Sequence, residues 1–285
     1  MSIPLNSLTL NCNAKINLAL DVISKRPDGY HDVELIFNEI PVFDTVTVSL
    51  RKDGKITLSC SDKTVPIGED ALSYRGAVAF FKATGLSLGA DISIVNNIPN
   101  GAGLAGASAD VAGVLKALNR LTGNPLSLDE LMKIGGTLGA DVPFCIMGGC
   151  ALAEGIGEIL TPLPLPPKLY YVIAKPKESV STAWVYQNLS LDNRPEDLCV
   201  PAVADGIRKG DLEMIVKNTG NILEAVTAKA IPVIYDIKQL FTQHGAIISM
   251  MSGSGTSVFG AFEEKASALD AAEAVKIFTD KIYIV

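Results

Sequence analysis

The stretch Pro99-Asn100-Gly101-Ala102-Gly103-Leu104-Ala105-Gly106-Ala107-Ser108 joins a strand-like segment to a helix-like one. Upstream, Asp91-Ile92-Ser93-Ile94-Val95-Asn96-Asn97-Ile98 alternates polar and apolar residues, so a strand leads into the glycines. Downstream, Val111, Val114, Leu115 and Leu118 recur on one side of a helix over 107–121. A helix that begins on glycines presents unbonded N–H groups and about +0.5 of a charge, with no side chain to keep a phosphate at a distance. A tight strand-to-helix turn that needs glycine only for its backbone angles accounts for the same residues. Gly101, Gly103 and Gly106 also fit the G-x-G-x-x-G dinucleotide fingerprint, with Asp129 at about the spacing of 20 residues which that motif asks. Against it, Pro99 and Asn100 separate the strand from the first glycine, and Asp129 opens a helix instead of closing a second strand. The P-loop lysine and the protein-kinase H-R-D and D-F-G strings are absent.

Working outward, residues 8–22 and 44–50 alternate as strands, and 71–84 carries apolar groups at helical spacing. Ser127-Leu128-Asp129-Glu130 is a capping box, predicting a helix that ends near Gly139. Pro162-Leu163-Pro164-Leu165-Pro166-Pro167 cannot continue a helix or a central strand, which sets a boundary between domains 1–165 and 166–285. Beyond it a strand is predicted over 169–174 and helices near 182–189, 200–208, 211–226 and 231–243. Alternating runs at 246–251 and 256–262 then flank Ser252-Gly253-Ser254-Gly255. Mixed strand and helix order in both halves points to two α+β domains.

The 285 residues are 48% apolar, enough for two ordinary cores, and the net charge of −7 opposes nucleic acid or an anionic membrane as partner. No apolar run reaches the roughly 18 residues of a membrane span, and residues 1–6 lack the pattern of a signal peptide, so a cytoplasmic protein is expected. Five cysteines without C-x-x-C spacing read as buried reduced thiols.

Three polar groups stand out. In Ala14-Lys15-Ile16-Asn17-Leu18-Ala19-Leu20-Asp21, period two places Lys15 and Asn17 on one face, which either meets solvent or lines a cleft. Asp141, in Leu138-Gly139-Ala140-Asp141-Val142-Pro143-Phe144, is explained locally as the N-cap of a short helical turn. Arg26-Pro27-Asp28-Gly29 is a turn by its chemistry, and Tyr30-His31 directly after it offers a ring and an imidazole that could hold a flat base or merely end a strand.

Taken together these residues resemble the GHMP kinase superfamily, which includes galactokinase, homoserine kinase and mevalonate kinase. Its three signature regions appear in order as Ala14-Lys15-Ile16-Asn17-Leu18, the 99–108 stretch, and Ser252-Gly253-Ser254-Gly255-Thr256-Ser257-Val258-Phe259-Gly260. Lys25-Arg26-Pro27-Asp28-Gly29-Tyr30-His31 and Gly139-Ala140-Asp141-Val142-Pro143-Phe144 are similar to strings of the branch that phosphorylates a cytidine diphosphate-linked methylerythritol on its 2-hydroxyl, a step of non-mevalonate isoprenoid precursor synthesis. The resemblance implies a ribosomal-S5-like N-terminal domain, a ferredoxin-like C-terminal domain, ATP with Mg2+, and a monomer or homodimer. It implies Lys15 and Asp141 as catalytic groups, with Lys15 keeping Asp141 ionised. Pro99, Asn100, Gly101, Ala102, Gly103, Leu104, Ala105, Gly106, Ala107, Ser108 and Ala109 become the ATP loop. Asn17, Tyr30, His31, Tyr186, Gly253 and Ser254 become the substrate site, and the resemblance names no metal-ligating side chain. Ala107 and Ala109 replace the Gly and Ser of the family's usual G-G-S-S run, leaving Ser108 as the loop's hydroxyl, and Ala71 stands where an asparagine near adenine is common. The alternatives are a sister kinase of the homoserine or mevalonate type, a dinucleotide-dependent oxidoreductase, and a nucleotide-binding protein without chemistry.

Overall fold

A computed structural model describes residues 6–285. Along the chain run β1 (Ser7–Lys25), β2 (His31–Arg51), β3 (Ile56–Cys60), α1 (Leu72–Thr84), β4 (Gly89–Val95), α2 (Gly106–Leu121), α3 (Leu128–Gly136), α4 (Val142–Met147), β5 (Cys150–Glu154) and β6 (Ile159–Leu163). Then follow β7 (Tyr170–Ala174), α5 (Thr182–Gln187), α6 (Val200–Lys209), α7 (Leu212–Asn218), β8 (Gly220–Asn221), α8 (Glu224–Ala230), α9 (Val233–Gln243), β9 (Ile248–Met251), β10 (Val258–Phe262), α10 (Lys265–Ala274) and β11 (Ile282–Ile284). Contacts gather these into two compact units. One holds the described residues through Ala14 with Pro41–Ile98 and Ala105–Gly148, and the other holds Lys15–Ile40, Pro99–Leu104 and Gly149–Val285.

In the first unit β3 lies parallel to β4, and β4 pairs antiparallel with residues 45–51 of β2. Helix α2 carries the core of this unit, burying Val111, Val114, Leu115 and Leu118 as its spacing predicts. Gly113 lets it approach β1 and β2, for a Cβ there would sit 2.2 Å from the Cys12 sulfur. The capping box forms at the start of α3. Ser127 Oγ accepts from the Glu130 amide, and the Glu130 carboxylate accepts from the Ser127 amide, which holds that carboxyl below its ordinary range. Ser127→Ala is expected to lower the melting temperature by about 2–4 °C with kcat unchanged, measured by calorimetry beside an activity assay.

In the second unit residues 35–38 of β2 pair antiparallel with β5, β5 pairs with β6, and β1 runs parallel to β8. Pro162 lies in β6, which among the described residues pairs only with β5 and so tolerates a residue without an N–H. The remaining strands form an antiparallel sheet in the order β11-β7-β10-β9. Numbered by appearance within that sheet, the order is fourth, first, third, second, with α9 and α10 packed on it, which is the β-α-β-β-α-β ferredoxin-like arrangement.

The sequence reading needs correction at two places, and the burial of β1 decides between the two readings of its polar face. The predicted helix over 211–226 is two helices, α7 and α8, interrupted by β8, because Asn221 bonds elsewhere, as described below. Strand β2 begins at His31, not at 44. Strand β1 is buried on both faces from Ala14 to Val22, so Lys15 and Asn17 do not meet solvent. None of the five cysteines forms a disulfide; Cys12 and Cys150 are buried as expected, while Cys60, Cys145 and Cys199 are half-buried.

Candidate active site

In the second unit, Lys15 is 3% exposed, and its Nζ donates to Asn17 Oδ1 at 2.7 Å and to the Gly103 carbonyl at 3.0 Å. The ammonium also lies 5.2 Å from the centre of the Phe37 ring, a cation–π contact. A buried ammonium needs such partners, since burial without them disfavours its charge. Asn17 Nδ2 is buried and finds no hydrogen-bond acceptor among the described residues.

The loop segment Pro99–Leu104 spends its carbonyls inward. Ala102 O accepts from Ser257 N, Gly103 O from Ser252 Oγ and Lys15 Nζ, and Leu104 O from Lys15 N. No bond among the described residues uses the amides of Gly101, Ala102, Gly103 or Leu104. Carbonyls bonded into the protein with amides left over are what an anion cradle requires. Gly103, at φ +73°, has no room for a side chain: a Cβ would sit 2.0 Å from the Ser252 carbonyl oxygen.

The third motif is shaped by a residue the sequence reading missed. Asn221 Nδ2 donates to the carbonyls of Met251 and Gly253, and its Oδ1 accepts from Leu223 N. These bonds draw residues 220–221 out of helix, and a Gly-Asn pair inside a helical pattern was the available signal. Gly253 lies against Lys15, since a Cβ there would be 3.4 Å from Nζ. Ser254 shares a 2.7 Å hydrogen bond with the Thr182 hydroxyl, tying the start of α5 to the glycine motif.

The same helix brings Tyr186 to His31, with ring centres 5.1 Å apart and planes tilted by 35°. His31 is held below its ordinary pKa, first by burial and then by Lys25, so its imidazole is neutral at pH 7. Arg26 ion-pairs with Asp28 and Asp32 and braces the preceding turn, while Tyr30 itself is exposed.

In the first unit, the amides of Gly106, Ala107 and Ser108 open α2, and the first helical bond is donated by Ala109. Ala105 holds the cap position at φ +61° and supplies no capping side chain. An uncapped N-terminus on a 16-residue helix keeps its donors for an anion. Ser108 Oγ lies beside Gly139, 4.0 Å from where its Cβ would be, and so near the turn that carries Asp141. Asp141 precedes α4 in helical conformation, and its carbonyl accepts from Cys145 N, but its side chain makes no capping bond. The expected cap role therefore does not account for its carboxylate. Ala71 stands at the cap of α1, likewise without a side-chain bond.

The pattern described as the GHMP kinases N terminal domain matches residues 71–149, and the GHMP kinases C terminal pattern matches residues 203–281. A 4-diphosphocytidyl-2-C-methyl-D-erythritol kinase of Alkaliphilus metalliredigens is 42% identical over 99% of this chain and 97% of its own length. The chain belongs to the GHMP kinases, in the 4-diphosphocytidyl-2-C-methyl-D-erythritol kinase family. Family membership brings ATP as the phosphoryl donor and sets aside the oxidoreductase reading. A crystal structure of a 4-(cytidine 5'-diphospho)-2C-methyl-D-erythritol kinase superposes with a TM-score of 0.81 at 32% identity, covering 97% of this kinase and 98% of that chain. A homoserine kinase from Cytophaga hutchinsonii gives 0.79 at 20% identity, with 100% of this kinase and 96% of that chain covered, a likeness of fold alone. Among the described residues no helix is long and apolar enough to cross a membrane.

Proposed function

We infer that this kinase transfers the γ-phosphoryl group of ATP to the 2-hydroxyl of 4-diphosphocytidyl-2-C-methyl-D-erythritol, in the cytoplasm, as a monomer or homodimer. The observation that carries the choice of substrate is the His31–Tyr186 ring pair, in the same unit as Lys15, Asn17 and the glycine motif. A cytosine can stack on the Tyr186 ring, while a neutral imidazole offers its edge a donor and an acceptor, and homoserine or mevalonate would need neither. Residues 1–165 and 166–285 serve as the two domains, supported by the two family patterns falling on either side of that boundary.

The loop amides of 101–104 and the uncapped start of α2 hold the nucleotide's phosphates, with Ser108 as the loop hydroxyl. Asn17 Nδ2, a buried donor, and the backbone at Gly253 and Ser254 serve the second substrate, with Tyr30 at its rim. Asp141 orients the acceptor hydroxyl and takes its proton as transfer proceeds through a loose, charge-spread transition state. Lys15 supplies positive charge that offsets the negative charge of the transferring group. Mg2+ would enter with the nucleotide, with Ser108 as the loop side chain able to meet it. When bound, it neutralises phosphate charge.

A coupled ADP-release assay tests the assignment. Turnover is expected with the diphosphocytidyl alcohol and not with homoserine, mevalonate or galactose; equal turnover with any of these would assign the kinase to a sister activity. Tyr186→Ala is expected to raise KM for the cytidyl substrate about 10–100-fold, the worth of one base–aromatic stack, while KM for ATP stays put.

A further inference from the structure

The nucleotide loop is flanked by a buried pair of carboxyl groups that the chemistry above does not use. Asp44, on β2, is fully buried. Its Oδ1 accepts from the amides of Asn97 at 2.5 Å and Ile98 at 2.7 Å, and its Oδ2 accepts from Asn96 Nδ2 at 3.0 Å. The same Oδ2 lies 3.8 Å from where a Cβ on Gly106 would be. One carboxylate thus holds the segment entering the loop and lies against the first residue of the helix leaving it. Asp110, on the next turn of that helix and 5% exposed, is hydrogen-bonded to Asp44, and its own Oδ1 has no further partner.

We propose that Asp44 and Asp110 share one proton and act as a positioning pair that fixes both ends of the nucleotide loop. Two carboxylates in hydrogen-bond contact away from water cannot both ionise. The donors at Asp44 select the partition. Three protein N–H groups stabilise its anion and none serves Asp110, so the proton sits on Asp110 and is donated to Asp44. Burial first, and then the Asp44 charge, push the Asp110 carboxyl up to about 8. Among the described residues the titratable groups facing the pair are Cys12 on β1 and Cys60 on β3, which in turn face Lys116 on α2 and Asp62. Burial pushes the Cys12 thiol to about 12 and the Cys60 thiol upward too, and Lys116 Nζ donates to the Cys145 carbonyl. Loss of the shared proton sets two anions against each other between residues 96–98 and the start of α2.

The proposal rests on reading 99–109 as the nucleotide loop, and two measurements on the full chain separate them. Calorimetric ATP binding from about pH 7 to 9.5 is expected to weaken at least about fivefold across Asp110 ionisation, within the tenfold per pH unit that one linked proton allows. Amide exchange without nucleotide should show Asn97 and Ile98 losing protection over the same range. Asp110→Asn, a neutral donor at every pH, should bind ATP without that slope, and Asp44→Asn should weaken ATP binding at all pH values. A wild-type affinity and protection that stay flat, or an Asp110→Asn protein with the wild-type slope, would overturn the pair. Should Asp110→Asn not fold, the wild-type profiles decide. Absence of ATP binding at any pH would count against the loop reading, while exchange at Asn97 and Ile98 still tests the pair.

Discussion

Asp141→Asn is expected to lower kcat by about 10²–10⁴-fold with little change in ATP affinity. An amide keeps the size and hydrogen-bonding reach of the carboxylate but cannot take a proton at neutral pH, so positioning survives and proton transfer does not. The helix after Asp141 receives no capping bond from its side chain, and the Cys145 amide is accepted by the main-chain carbonyl, which the substitution leaves in place. Single-turnover kinetics with ATP and the cytidyl alcohol, beside a binding isotherm for ATP, separate the two effects. An undiminished rate would remove Asp141 from the chemistry and leave this family member as a binder or a kinase with another base.

Gly103→Ala is expected to abolish measurable phosphotransfer or to cost the fold about 4 kcal/mol or more, the range reserved for backbone clashes and strained conformations. The methyl group would sit 2.0 Å from the Ser252 carbonyl oxygen, and that carbonyl belongs to the motif that Asn221 pins from behind. Neither neighbour is the free end of a flexible side chain. The φ of +73° adds about 1–2 kcal/mol for any L residue with a Cβ. Gly101→Ala is the contrast. At φ +59° it carries a similar conformational cost, but its methyl would meet only Ser179 Oγ at 3.6 Å, an ordinary contact. A loss of about tenfold in ATP affinity is expected there, with the fold intact. Equal behaviour of the two variants by thermal melt and ADP release would show that close approach to Ser252 is not what requires glycine at 103.

Stability adds a signature to the Asp44–Asp110 pair. Asp110 has its ordinary pKa of 3.8 when unfolded and about 8 when folded. Between these values the native state binds the extra proton, so stability is lost as pH rises from about 4 to about 8 and does not fall further on this account above that. Asp110→Asn should flatten the slope in a series of thermal melts, the same variant that removes the pH dependence of ATP binding.

Much of the framework was legible in the order of residues because it depends on local rules. Apolar spacing placed α1 and α2 to within a residue or two, and Ser127 with Glu130 marked the start of α3 because a capping box is closed by four consecutive residues. The glycines of 101–106 announced an anion site or a turn but not which, since both need the same backbone angles. Residues 211–226 misled the helical reading because Asn221 is drawn to Met251 and Gly253, about 30 positions later, and no local pattern carries that demand. The polar face of β1 shows the same limit. Period two told which residues share a face with Lys15, but only packing decided that the face is buried and that Nζ is held by Asn17 and Gly103. Asp44 carried no signal of its own in the sequence, because its partners at 96–98 and 110 lie more than 50 residues away. By itself, then, the sequence determined α1, α2, the start of α3 with its capping chemistry, and the three motifs, all set by neighbours within a turn or two. The tertiary structure alone decided which buried polar groups meet, because hydrogen bonds between distant segments exist only once the chain has brought them together.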